Sequence, residues 1–332
     1  MSSHLAVDAG NSKTVAVLVD HTGAVLGRGR GGCGDIYGAK SPEDAVNAVV
    51  GAIGTALGAA GVPTGQVASA ALRLAGVDFE EDAEFWCTHL RRRFPELGSF
   101  SVKNDAYASL RLIDGSGTGV SITVGTGPAV AARAASGREE CSGMFVFDDL
   151  GGQGLGRSAL EAVCRAWMGL GPPTSLTRSM LAAFEARDGW ELRHLFVRRF
   201  GALPPQRLWG AARLVLAGAD EGDAVAQRIV EDQARAFARY AGWCAERVGV
   251  DLASGELPVL LNGSVATSES PAMRTALVRE LQRVAPAAAV RVSDAPPLAG
   301  VVLDALAEGG VSVDRGLLAV IGRDHPEEFL LT

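Results

Sequence analysis

The sequence lacks the features that mark membrane-spanning, secreted and metal-cluster proteins. Over 332 residues, no stretch free of charge approaches the length of a membrane span. The N-terminus has no basic region followed by an apolar run, so no secretory signal is expected. The 5 cysteines lie far apart without a Cys-x-x-Cys pair, which is typical of reduced thiols and argues against a zinc or iron–sulfur site within one chain. These absences predict a cytoplasmic protein that does not associate with a membrane.

Histidine clusters and excess positive charge are also absent. The 5 histidines are scattered, and no His/Cys group has the spacing of metal ligands. A formal net charge of -7 argues against a broad electrostatic surface for nucleic acid. The whole sequence is 48% hydrophobic and 21% charged, which is typical of a soluble globular protein. The length suggests two domains with ample room for a core.

The first part of the chain opens with three strand signals and then alternates helix and strand. Ser41-Pro42-Glu43-Asp44 is a strong helix start, because it combines a capping hydroxyl, a proline in the first turn and two carboxylates. The predicted strands cover residues 5–7, 15–20, 24–29, 67–74 and 100–102, and the predicted helices cover 41–60, 80–94 and 105–112. The predicted order is therefore β-β-β-α-β-α-β-α.

After a glycine-rich break at residues 114–117, the second part repeats this theme. The predicted strands cover 119–124, 128–133, 144–147, 258–261 and 290–292, and the predicted helices cover 158–168, 273–284 and 298–306. A largely helical insert is expected at about 174–250. We therefore predict an α/β fold with an N-terminal domain at 1–116, a C-terminal domain at 117–332 and a nucleotide cleft between them.

The loop that follows the first strand has the composition of a phosphate site. Gly10 lets the backbone approach an anion closely, and Asn11, Ser12 and Thr14 can donate hydrogen bonds to phosphate oxygens. Lys13 supplies positive charge, and Asp8 can hold a magnesium ion through water. The alternative is an ordinary hairpin with polar turn residues.

Four segments lie at predicted strand ends, where open α/β sheets place ligands. They are Asp8-Ala9-Gly10-Asn11-Ser12-Lys13-Thr14, Asn104-Asp105-Ala106, Gly125-Thr126-Gly127 and Asn262-Gly263-Ser264-Val265. In this order and spacing the set resembles the acetate and sugar kinase, Hsp70 and actin superfamily of ATP-binding proteins. Within it, the chain is most similar to the N-acetylglucosamine kinase and BadF/BadG/BcrA/BcrD-type ATPase family. The resemblance implies two ribonuclease H-like, actin-like ATPase domains with an interdomain nucleotide cleft.

The resemblance also implies roles for individual residues. The loop from Gly10 to Thr14 and a second loop of Gly125, Thr126 and Gly127 would bind the phosphates of ATP, with Asp8 as the magnesium residue. Gly263 and Ser264 would flank the adenosine. Asp105 would be the general base that takes a proton from the acceptor hydroxyl. The alternative for Asp105 is a helix cap, because Asn-Asp before a helix is a common capping sequence.

Three loops resemble the family's sugar-binding loops. Asp35 stands where the family usually has an asparagine, and Gly76 lies in Leu74-Ala75-Gly76-Val77-Asp78, which matches the family well. Asn104 precedes the expected base and joins these substrate residues. Asp148 and Asp149 occupy the place of an aspartate and a glutamate, with a solvated turn as the alternative. A carboxylate at Asp35 leads to the hypothesis of a cationic amine on the substrate.

The leading interpretation is an ATP- and Mg²⁺-dependent kinase that phosphorylates a hydroxyl of an amino sugar. A second interpretation is an ATPase that drives a partner protein through a conformational cycle, although no cysteine pair for an iron–sulfur cluster is evident. A third is a nucleotide or sugar sensor without catalysis. The expected partner is a small-molecule substrate, with no nucleic acid and no membrane. A homodimer and the identity of the acceptor are left open.

Overall fold

The first half of the chain forms a five-stranded mixed sheet. The structure is a computed structural model that describes residues 2–293 and 295–321. The strands are β1 (Ser3–Ala9), β2 (Thr14–Asp20), β3 (Val25–Gly31), β4 (Val67–Leu74) and β5 (Ser99–Asn104). They lie in the order β3-β2-β1-β4-β5, in which β1 pairs antiparallel with β2 and parallel with β4. The strands β1 and β2 are buried on both faces, which explains their continuous apolar runs.

The second half forms another five-stranded sheet with the same topology. Its strands are β6 (Gly119–Val124), β7 (Pro128–Arg133), β8 (Glu139–Cys141), β9 (Val259–Asn262) and β10 (Val290–Val292). They lie in the order β8-β7-β6-β9-β10, with β6 antiparallel to β7 and parallel to β9. Each sheet therefore carries a meander of three strands followed by two parallel strands, and the predicted α/β fold of two similar units is confirmed.

Helices surround the two sheets and also fill the space between them. The helices are α1 (Pro42–Ala60), α2 (Glu80–Arg93), α3 (Gly151–Trp167), α4 (Leu176–Ala183), α5 (Gly189–Val197), α6 (Ala212–Asp220), α7 (Ala224–Arg247), α8 (Ala272–Val284), α9 (Pro297–Glu308) and α10 (Arg315–Ile321). We call the first sheet with α1, α2 and the 3-10 helix Asp105–Leu112 the first lobe. The second sheet with α3 to α8 is the second lobe. Throughout the described ranges, every helix is too short or too polar to cross a membrane.

Helix α9 lies in the apolar layer between the sheets. It follows the second sheet in the chain but packs on β1, β4 and the 3-10 helix of the first lobe. Its Leu298, Val302 and Leu306 join the same apolar cluster as Ala71 of β4 and Leu260 of β9. Burial of this shared layer stabilises the contact between the lobes. The domain boundary at 116 and 117 stays a prediction, and α9 shows that packing crosses it.

Two predicted elements were wrong. Residues 144–147 do not form a strand. The third hairpin strand is β8, and Gly143–Phe145 is a 3-10 turn. The backbone N–H of Ser142 donates to the Val130 carbonyl, and its hydroxyl accepts from the Val130 N–H, so pairing ends at residue 142.

The helix expected at 158–168 begins earlier, at Gly151. The side chain of Gln233 accepts a hydrogen bond from the Gly151 N–H at 3.1 Å, which satisfies an amide at the start of α3. Gly152 and Gly154 then lie within α3, although glycine is a poor helix former.

Candidate active site

The first loop, residues 10–13, joins β1 to β2 and is fixed by hydrogen bonds to the segment that follows β3. The Gly10 N–H donates to the Lys13 carbonyl at 2.9 Å, and the Gly10 carbonyl accepts from the Gly34 N–H at 3.1 Å. The hydroxyl of Thr14 is buried and donates to the Gly32 carbonyl at 2.9 Å. Thr14 therefore supports the loop from the sheet side, while Ser12 is exposed on the other side.

The second loop, residues 125–127, joins β6 to β7 and rests on the start of α3. The Gly152 N–H donates to the Gly125 carbonyl at 2.8 Å, and the Gln153 N–H donates to the Thr126 carbonyl at 3.0 Å. Gly151 has a φ of +73°, and a Cβ there would lie 2.8 Å from the Gly127 backbone. The sequence analysis missed this supporting role, which the run Gly151-Gly152-Gln153-Gly154 could have indicated.

The turn after β9 approaches the second loop closely. Gly263 has a φ of +95°, and a Cβ there would lie 2.6 Å from the Val124 carbonyl carbon. The Val265 N–H donates to the Val124 carbonyl at 2.9 Å. The side-chain amide of Asn262 donates to the Ala295 carbonyl at 2.9 Å, which ties this turn to the segment before α9.

These three segments meet in one cleft of about 400 Å³. The predicted site residues that line it are Asp8, Gly10, Ser12, Lys13, Asp105, Gly125, Thr126, Gly263 and Ser264. The cleft also includes residues that the sequence analysis missed, namely Thr123, Thr267, Ser293, Ala295, Pro296 and Pro297. Pro296 and Pro297 at the start of α9 are a sequence signal for this side of the cleft, because such a pair marks the end of a loop and the start of a helix.

Three predicted phosphate residues lie outside the lining of the cleft. Thr14 is below the first loop, as described. The side chain of Asn11 lies against Gly38, where a Cβ would collide with its Oδ1 atom. Gly127 is covered by Gly151.

Asp105 lies in the cleft at the start of the 3-10 helix. Burial, followed by the nearby charges of Asp8, Asp78 and Asp35, raises its pKa to about 7. The helix cap is Asn104, whose Oδ1 accepts from the Ala106 N–H at 2.8 Å. Capping is therefore performed by the neighbouring residue, and Asp105 has a pKa suited to proton transfer near neutral pH.

Asp8 and Lys13 place opposite charges in the same cleft. Burial raises the pKa of Asp8 to about 6, and the charge of Lys13 partly opposes this shift. Among the described residues, no group of three or more His, Cys, Asp or Glu side chains could hold a metal ion by itself. Magnesium in phosphate sites usually binds to one or two carboxylates, water and the phosphates themselves. Asp8 fits that requirement as an oxygen donor that lines the cleft.

The predicted substrate residues Asp35, Gly76 and Asn104 come together beside Asp105. Asp35 is only 7% exposed, and its Oδ1 accepts from the Tyr37 N–H at 2.9 Å. Gly76 has a φ of +75°, and a Cβ there would collide with the Asp35 carboxylate. The side-chain amide of Asn104 donates to Asp78 at 3.0 Å.

Asp78 is a further carboxylate that the sequence analysis did not assign to the site. Burial, then the charges of Asp82 and Asp35, raise its pKa to about 6, while a hydrogen bond from the Met144 backbone opposes the shift. Its position at the end of Leu74-Ala75-Gly76-Val77-Asp78, after β4, was the signal that could have found it.

Asp148 and Asp149 are not brought into the cleft. The Tyr240 hydroxyl donates to Asp148 at 2.8 Å, and Arg239 lies 3.4 Å from the same carboxylate. Asp149 pairs with Arg157 at 3.1 Å. Both carboxylates are exposed and are held by partners on α7 and α3. Their predicted contact with substrate therefore has no support from this geometry.

Comparisons with known proteins agree with this architecture. The model of the BadF/BadG/BcrA/BcrD ATPase family matches residues 5–307. The fold is similar to a candidate N-acetylglucosamine kinase from Chromobacterium violaceum, with a TM-score of 0.69 and 21% identity over 91% of this chain and 98% of that chain. A candidate N-acetylglucosamine kinase from Porphyromonas gingivalis has a TM-score of 0.66 and 17% identity over 90% and 97% of the two chains.

A more distant likeness is to a ROK family glucokinase from Streptomyces griseus, solved with glucose and AMPPNP. Its TM-score is 0.56, with 20% identity over 92% of this chain and 98% of that chain. At these identities, the likeness to solved structures establishes the fold. A comparison with curated proteins found no match.

Proposed function

The chain belongs to the BadF/BadG/BcrA/BcrD ATPase family, and we propose that it is an ATP-dependent kinase acting on a hydroxyl of an amino sugar. The acceptor is N-acetylglucosamine, glucosamine or a related compound. The observation that carries the proposal is the single cleft lined by the first loop, the second loop, the Gly263 turn and Asp105. Phosphoryl transfer depends mainly on positioning and charge neutralisation, and this cleft offers groups for both.

In this proposal the two loops bind the phosphates of ATP. Ser12 and Lys13 of the first loop face Gly125 and Thr126 of the second across the cleft, so donors approach the phosphates from both lobes. Gly263 and Ser264 flank the adenosine. Asp8 holds Mg²⁺ through water, and the ion neutralises charge on the β- and γ-phosphates when bound.

Asp105 acts as the general base. Its carboxylate accepts the proton of the acceptor hydroxyl while the hydroxyl oxygen forms a bond to the γ-phosphorus. The bond between that phosphorus and the β,γ-bridging oxygen breaks, and ADP leaves. The pKa of about 7 keeps Asp105 largely ionised above neutral pH yet basic enough to accept a proton. A sensor would have no need for such a base, which favours catalysis.

The amino-sugar part of the proposal rests on the polar side chains that lie near Asp105. Asp35 and Asn104 offer a carboxylate and an amide there, and Gly76 leaves space for the Asp35 carboxylate. Convergent groups of this kind recognise sugar hydroxyls and amines. Asp148 and Asp149 have no role in this proposal, because they pair with the helices of the second lobe.

The test is a coupled assay of ADP release over glucosamine, N-acetylglucosamine, N-acetylmannosamine and glucose. We expect acceptor-dependent release with an amino sugar and its loss in Asp105→Asn. A matched control is Asp149→Asn, which removes an exposed carboxylate outside the cleft and should leave turnover intact.

The same assay separates the alternatives. ADP release that needs no acceptor and persists in Asp105→Asn would contradict the kinase and indicate an ATPase that drives a partner. Nucleotide binding without ADP release under all conditions would indicate a sensor.

A further inference from the structure

One short segment of the second lobe, residues 139–144, lies against the part of the first lobe that carries Asp105. The ammonium of Lys103 on β5 lies 2.6 Å from Glu139 on β8. Four positions beyond Lys103 and two beyond Glu139, the side chains of Tyr107 and Cys141 lie close enough that each affects the pKa of the other. Gly143 lies against Asp78, because a Cβ there would collide with the Asp78 Oδ1 atom. Asp105 stands between Lys103 and Tyr107 in the chain, so this segment borders the catalytic position.

The Lys103–Glu139 pair is anchored on its far side. The second oxygen of Glu139 accepts from Arg133 Nε at 2.5 Å. Arg133 lies 3.8 Å from Asp304 of α9, which in turn pairs with Arg73 of β4 at 2.7 Å. Glu139 therefore pairs with one basic side chain from each lobe. Through Arg133, Asp304 of α9 links this cluster to Arg73 at the centre of the first sheet.

The ion pair between Lys103 and Glu139 is partly shielded from solvent. The side chains of Lys103 and Glu139 are 32% and 21% exposed, so salt screens their attraction less than it would at an open surface. Burial alone would raise the pKa of Glu139, but the hydrogen bond from Lys103 and the charge of Arg133 lower it. Glu139 is therefore ionised at neutral pH and available for the pair.

We propose that Lys103 and Glu139 form a latch that holds the two lobes in the arrangement seen here and thereby keeps Asp105 and the second phosphate loop in one cleft. Both are positioning residues, because neither lines the nucleotide cleft. Without the latch this arrangement is less populated, and the apparent nucleotide affinity falls in proportion to its population. The effect on nucleotide affinity rests on the proposed nucleotide cleft, whereas the contact between the lobes does not.

Lys103→Met is the sharpest variant, because it removes the contact between lobes and leaves the Arg133–Glu139 pair in place. Lys103→Arg keeps the charge and is the rescue variant. Glu140→Gln is the matched control, since Glu140 is the next residue and pairs with Arg247 at 3.1 Å within the second lobe. Its exposure of 27% is close to that of Glu139.

The measurements are small-angle X-ray scattering and calorimetric binding of AMPPNP with Mg²⁺, neither of which needs an acceptor. We expect Lys103→Met to enlarge the radius of gyration and to weaken AMPPNP binding by about 5-fold or more. Lys103→Arg and Glu140→Gln should stay close to wild type. The Lys103→Met, Glu139→Gln double variant should weaken binding no more than the stronger single variant.

The latch is overturned if Lys103→Met keeps the wild-type radius of gyration and AMPPNP affinity, or if Glu140→Gln changes both as much. Failure of the kinase proposal would look different. In that case no acceptor would support ADP release, yet the scattering and binding differences among these variants would persist.

Discussion

The two lobes share one strand topology but contribute different chemistry to the cleft. The charged residues among its described lining, Asp8, Lys13 and Asp105, all come from the first lobe. The second lobe contributes glycine backbone and neutral polar side chains, including Thr126 and Ser264. The two similar lobes therefore differ at the cleft. The first provides its charged side chains, and the second provides glycine backbone and neutral polar groups. We infer that the first lobe supplies the charged groups of the cleft, while both lobes contribute to nucleotide binding.

The largest effect should come from pH, because only the first lobe places titratable groups in the lining of the cleft. Asp105 and Asp8, with pKa values of about 7 and about 6, must both lose a proton before the base and the metal residue can act. We expect kcat/KM to rise steeply from pH 5 and to level off near pH 8, by about 1000-fold in total. Initial rates across this range measure it. A profile that is flat from pH 5 to 8 would contradict the role of Asp105.

The same carboxylate should limit stability. A pKa raised above the unfolded value means that Asp105 stabilises the folded state less as pH rises toward 7. Asp105→Asn removes this cost, so it should abolish turnover while raising the melting temperature, more at pH 8 than at pH 5. Thermal unfolding at both pH values measures the difference. If Asp105→Asn melted at a lower temperature than the wild type at pH 8, the ionised Asp105 side chain would be stabilising the fold, contrary to this expectation.

Gly263→Ala tests the second lobe. The positive φ and the close Val124 backbone both disfavour a Cβ, so we expect a loss of about 1–3 kcal/mol in stability and weaker nucleotide binding. Gly242→Ala is the matched control, because Gly242 lies in α7 with open space around a Cβ. That control should be neutral or slightly stabilising. Equal behaviour of the two variants would remove the argument for a strained turn.

Thr14→Val tests the support of the first loop. Removing the hydroxyl takes away the partly buried hydrogen bond from Thr14 to the Gly32 carbonyl, which should cost about 1 kcal/mol and weaken nucleotide binding modestly. Thr55→Val is a suitable comparison, since the Thr55 hydroxyl donates to a carbonyl on the exposed face of α1. Denaturant unfolding and nucleotide titration should separate the two.

The smallest effect is expected from Asp148→Asn combined with Asp149→Asn. Both carboxylates are exposed and pair with arginines, so the loss should stay within about 0.5 kcal/mol per site, and turnover should be nearly unchanged. A large rise in the KM of the acceptor, measured at saturating ATP, would indicate that these two residues contact the substrate.

Strong local patterns were enough to predict most of the fold. Strands 67–74, 119–124 and 128–133 were predicted with their observed bounds, since buried apolar runs between turn residues are unambiguous there. The strand predicted at 144–147 failed because a short apolar run does not specify structure. Phe147 is 88% exposed, whereas the acidic segment Glu139–Cys141 forms the strand through its pairing with β7.

The candidate site divides in the same way. Residues at strand ends, such as Asp8, Asp105 and Gly263, were predictable because the topology gathers strand ends in one place. The contacts of Gly151 with the second loop and of Asn262 with Ala295 were not, since they join elements far apart in the chain. The predicted substrate role of Asp148 and Asp149 stays a prediction, and the pairs that these residues form could not be predicted from the sequence. Their partners lie on α7 and α3, and only the folded insert reveals those pairs.

The most direct test of the account is a crystal structure with AMPPNP, Mg²⁺ and an amino sugar. The account predicts phosphates gripped between residues 10–13 and 125–127, the adenosine beside Gly263, and the Asp105 carboxylate within hydrogen-bond distance of the acceptor hydroxyl. A nucleotide bound elsewhere, or an acceptor hydroxyl remote from Asp105, would contradict it.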